Sequence, residues 1–77
     1  MAKHAVYAAI VKVVKSGSLK EPFSNLDFRN ACPGFGEGTY QAFLHKHRVG
    51  NPGGNSELFV LVSKGRFSLV RPFKYGL

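Results

Sequence analysis

The chain has 77 residues, 44% of them apolar, with seven Phe and three Tyr, which suits one small core and excludes a second domain and wholesale disorder. Its single cysteine, Cys32, excludes an internal disulfide and a multi-cysteine zinc site and fits a reducing, cytoplasmic setting. Eleven Lys and Arg against four Asp and Glu give a net charge of +7, which favours phosphate-rich partners through counterion release.

The apolar stretch from Ala5 to Val14 is broken by Lys12, lacks a signal-type cleavage site and is too short to cross a bilayer, so no membrane partner is expected. From His4 to Ser16, helical spacing gathers Val6, Tyr7, Ile10, Val11, Val13 and Val14 into one wide arc and sets Lys12, Lys15 and Ser16 opposite. This predicts an amphipathic first helix ended by Gly17. Leu19 to Phe23, around Pro22, reads as an extended connection with room for a short edge strand.

Ser24 has the character of an N-cap. Asp27 follows three residues on as the partner of a capping box, and Phe23 and Phe28 stand at the staple positions either side. A second helix is therefore expected from Asn25, with Phe28, Ala31 and Cys32 inward, until Pro33-Gly34 stops it. The third helix is expected over 36–49, ending at Gly50. It puts Tyr40, Phe43, Leu44 and His47 on an apolar side and Thr39, Gln41, Ala42, His45, Lys46 and Arg48 on a basic, hydrogen-bonding side.

Asn51 to Ser56 is rich in turn formers and has no periodicity. Leu58 to Val62 and Arg66 to Val70 follow as two strands about Ser63-Lys64-Gly65. A three-residue turn with Gly65 in the left-handed position pairs Val62 with Arg66 and Leu61 with Phe67, and it buries Phe59, Leu61, Phe67 and Leu69 together. The expected organisation is one domain over 1–77, with its core from about residue 4 to 71. The tail, 72–77, has no pattern, although Phe73 and Tyr75 suit packing back.

This order of elements, with the capped second helix and the PGFGEGTYQAFLHKHR segment, resembles the winged helix-turn-helix family from Val6 to Val70. The resemblance implies an α+β fold and a non-catalytic double-stranded DNA-binding module with a role in transcription regulation. The helix over 36–49 would enter the major groove and the 63–66 wing would lie on the backbone. Carried over, it implies Gln41, His45 and Lys46 near base edges or phosphates, Thr39 and Arg48 at the ends of the contact surface, and Lys64 and Arg66 on the wing. RNA is the other nucleic acid that suits the charge. A protein-protein interaction or dimerisation module is the competing reading, because fold does not fix function.

Other chemistries find less support in the residues. His45 and His47 point about 200° apart on a helix, which argues against a shared metal site and leaves His47 to complete the apolar seam. Cys32 faces inward with no ordered base and reads as an inert thiol. The Gly34 to Gly38 run lacks the closing Lys-Ser/Thr of a phosphate loop. Phe59 and Phe67 alternate as core residues rather than as stacking platforms. No catalytic residue, cofactor or metal is expected. Lys64 and Arg66 have a second reading as charges that blunt a hairpin edge.

Overall fold

The computed structural model describes residues 2–53 and 55–77, with side chains from Ala5 onward; Met1 and Gly54 lie outside the described residues, and with Gly54 so does a portion of the loop expected over 51–56. Three helices, α1 (Ala2–Ser16), α2 (Asn25–Ala31) and α3 (Glu37–Lys46), precede an antiparallel hairpin of β1 (Phe59–Ser63) and β2 (Arg66–Leu69). The fold is thus α+β with a winged-helix-like topology. None of the described helices is long and apolar enough to cross a membrane.

Along α1, Val6, Tyr7, Ile10 and Val11 are buried, while Val13 and Val14 sit half-buried at the rim. Gly17 adopts a φ of +86°, open to glycine at little cost, and the chain turns back so that the Leu19 N–H donates to the Val13 carbonyl at 3.0 Å.

The edge strand expected over Leu19 to Phe23 shrinks to one residue. Phe23 exchanges both backbone hydrogen bonds with Phe67, each at 2.8 Å, against the free edge of β2. The next bond of that ladder goes to a side chain: the Leu69 N–H donates to Glu21 Oε2 at 2.6 Å, where a strand would present a backbone carbonyl. Beyond Phe23 the chain is committed to α2. Ser24 Oγ accepts from the Asp27 N–H, and Asp27 Oδ2 accepts from the Ser24 N–H, both at 3.1 Å, which closes the expected capping box.

The third helix is shorter than expected. It ends at Lys46 rather than near Gly50, because the His47 carbonyl accepts the Leu58 and Phe59 N–H groups at 2.8 and 3.1 Å, and the Val49 N–H donates to Phe59 at 2.8 Å. Residues 47–49 are thereby drawn alongside the start of β1, with Arg48 in a parallel bridge to Phe59.

The hairpin keeps the expected register at Leu61 and departs from it at the tip. At the tip Ser63 pairs with Arg66 around a two-residue Lys64-Gly65 turn, with Gly65 at φ +71°; Val62 is then bulged out, which restores the Leu61–Phe67 pairing below it. The expected Val62–Arg66 pair is therefore replaced. Phe59, Phe67 and Leu69 are buried as expected, but Leu61 is 40% exposed: Phe23 and the His45 ring cover its cross-strand partner Phe67, whereas among the described residues the outer edge of β1 is bridged only at Phe59, by Arg48.

Phe59 lies at the centre of the core. Its ring makes edge contacts with Tyr7 of α1, Phe23 and Phe43 of α3 at centroid distances of 6.4, 6.3 and 5.8 Å. The C-terminal residues pack back over α1: the Lys74 N–H donates to the Tyr7 hydroxyl at 2.8 Å, and Tyr75 meets the Tyr7 ring edge-on at 5.6 Å. Arg71 joins Glu21 through two hydrogen bonds of 2.7 and 2.9 Å.

Candidate nucleic-acid interface

The inward side of α3 holds the expected residues. Tyr40, Phe43 and Leu44 are buried, as is His47 at the helix C-terminus. The Tyr40 hydroxyl donates to the Cys32 carbonyl at 2.6 Å and accepts from the Phe35 N–H at 3.0 Å, so one side chain fixes the turn between α2 and α3. His47 Nδ1 lies 2.9 Å from the Ser56 carbonyl; a carbonyl only accepts, so Nδ1 carries the proton. These contacts set the rotation of α3 about its axis.

Turned outward are Gln41, Ala42, His45 and Lys46, with Thr39 half-buried beside them. Thr39 and Lys46 share a shallow groove with Gly38, Ala42 and Phe43. Gln41 Nε2 donates to Glu37 Oε2 at 3.3 Å, one turn back along the helix. His45 stands at the flank that faces the hairpin, its ring edge-on to Phe67 with 4.9 Å between centroids. Arg48 has left the helical face. It is half-buried, and its Nε is shielded from solvent without a hydrogen-bond partner among the described residues. Lys64 stands exposed at the turn of the hairpin. Arg66 leans the other way, with Nη1 at 3.6 Å from Asp27 Oδ2. Among the seven expected contact residues, Thr39 and Lys46 thus line one groove, His45 reaches β2, Arg48 is half-buried and Arg66 is near Asp27.

All four Asp and Glu side chains have partners inside the molecule. Glu37 pairs with Arg29, Asp27 with Arg66 and Glu21 with Arg71, while Glu57 accepts the Gly50 N–H at 3.0 Å. The hydrogen bond from Arg71 holds the Glu21 carboxyl below its ordinary range, outweighing partial burial, which acts the other way. Glu37, at the start of α3, would repel phosphate if left bare, but Arg29 neutralises it and also lies over the Tyr40 ring at 5.5 Å. No lysine pairs with an Asp or Glu side chain among the described residues, although Lys15 Nζ donates to the Leu77 backbone oxygen at 2.7 Å. The outward positive charge is thus mainly lysine, a compact and mobile point charge that suits phosphate better than base edges. From Gly38 to Leu77 the sequence has one acid, Glu57. No local pattern in the sequence reveals this partition of charge, because each arginine and its acid belong to different elements.

A larger cleft of about 400 Å³ runs between residues 18–22 and α2, with Asp27, Asn30 and Arg66 in its walls. Its acids already hold arginines or backbone groups, and no outward residue of α3 borders it. Cys32 is buried, and that burial pushes its thiol pKa up, away from the reactive thiolate. No three His, Cys, Asp or Glu side chains converge as a metal set among the described residues. Comparison with known proteins finds no matching family model, curated protein or solved structure.

Proposed function

We propose that this chain is a winged-helix module that binds double-stranded DNA without catalysis, with α3 against the major groove and the 63–66 wing on the backbone. Phosphate contacts supply most of its affinity. The observation that carries the reading is the charge partition: three carboxylates are consumed by arginines, while Lys46 and Lys64 stay exposed on the two elements offered to DNA. The test is titration with duplex DNA at two salt concentrations. Neutralising about four to six phosphates gives a slope of log affinity against log salt near −4 to −5. Absence of binding at both salt concentrations overturns the reading.

A second reading, a protein-protein interaction or dimerisation module, draws on the exposed apolar residues of β1. Light scattering separates the two: a tight dimer that buries Lys46 favours the second and counts against DNA.

A further inference from the structure

Resting on that DNA-binding reading, we propose that the hairpin is a wedge: Leu61 and Val62 enter the minor groove of the duplex and prise open a single base step, so the bound DNA is bent. Val60, Leu61 and Val62 form three consecutive exposed apolar residues, at 43, 40 and 55% exposure, in a strand whose root is fully buried. A strand that only closed the core would turn alternate residues toward water as polar groups. The hairpin is anchored by Phe59, Phe67 and Leu69, so its projecting end is held by a rigid base.

Charge and shape select the occupant. Lys64 and Arg66 flank the apolar residues, and no acid occurs from Leu58 to Leu77. An apolar projection beside cations fits a slot with apolar sugar walls, stacked bases and a phosphate rim. A second copy is a poorer fit, since it brings another net charge of +7 to the contact. The Val62 bulge also disrupts the strand edge along which two copies would pair. Flexible pyrimidine-purine steps yield to such a wedge at least cost, so TA and CA steps are the favoured sites of insertion.

The experiment uses the whole chain and a duplex carrying 2-aminopurine beside a central TA step, with fluorescence read at saturating protein. Wild type raises the fluorescence as the base unstacks. Leu61→Ser/Val62→Ser still binds, with Kd within about tenfold because phosphate contacts remain, and loses the rise. Circular dichroism and a melting curve verify its fold; Val62→Thr, close to isosteric, gives the same comparison if the double variant unfolds. A saturated duplex with no rise, or a rise that survives both variants, overturns the wedge and leaves DNA binding intact. No duplex binding at all removes the wedge together with the function it rests on. A wild-type dimer that the variants dissolve, or binding to anionic vesicles that the variants abolish, assigns the apolar residues to another partner and also overturns the wedge.

Discussion

Glu21 and Arg71, fifty residues apart in sequence, close the fold at one point: Arg71 Nη2 donates to Glu21 Oε1 at 2.7 Å, while Glu21 Oε2 also accepts the Leu69 N–H. One carboxylate thus ties the loop after α1 to the end of β2 and to the C-terminal residues. Glu21→Gln is expected to destabilise the protein by about 1–2 kcal/mol at pH 7, a figure reduced from that of a buried charged bond because the Arg71 side chain is 53% exposed. A carboxyl whose folded pKa is lowered stabilises above its unfolded value of about 4.3 and loses that contribution as pH falls through the folded one. Urea melts of wild type and variant should differ at neutral pH and converge in acid; a constant difference would assign the effect to packing instead.

Truncation of Phe59 should be the most damaging single change in the core. Its ring touches α1, α3 and the Phe23 bridge, so Phe59→Ala removes contacts shared by three segments, and the expected cost is about 3–5 kcal/mol. In a domain of this size that loss approaches the whole stability. Loss of the cooperative melt, with Phe59→Leu retaining it, is the expected pair of results.

Tyr40→Phe keeps the ring and removes only the hydroxyl that joins Cys32 to Phe35. The Phe35 N–H and the Cys32 carbonyl lose their partner, for an expected cost of about 1–3 kcal/mol. Hydrogen exchange should rise at Phe35 and neighbouring residues more than at the hairpin. Uniform change along the chain would show that the hydroxyl does not fix this turn.

On the proposed interface, Lys46→Ala and Lys64→Ala should each weaken duplex binding and make the salt slope about one unit shallower. Arg66→Ala should weaken it less, because Asp27 already offsets that charge. Arg48→Ala should also weaken binding, with an added loss of stability that reflects its half-buried side chain. Equal affinities for wild type and the Lys46→Ala/Arg48→Ala variant would remove this face from the contact surface.

The features legible in the sequence are those decided within a few residues. Ser24 and Asp27 are close enough to write their own capping box, and the spacing of Tyr40, Phe43, Leu44 and His47 is enough to orient α3. The rest depends on partners distant in the chain. α3 stops at Lys46 because β1 claims the His47 carbonyl, and the expected edge strand reduces to Phe23 because the Glu21 side chain takes the bond to Leu69. Leu61 is exposed for a related reason: alternation fixes which way a residue faces, not which strand edge a distant segment covers, and Phe23 and His45 cover Phe67 rather than Leu61 opposite it. Among the candidate contact residues, Arg66 was legible as a wing cation, but its pairing with Asp27 was not.

The backbone bonds from Leu58 and Phe59 to His47, with the His47 ring held at Ser56, bolt the end of one projecting element to the root of the other. Spreading helix and hairpin apart would break these bonds, so in the proposed complex their spacing acts as a gauge that favours a partner of matching width.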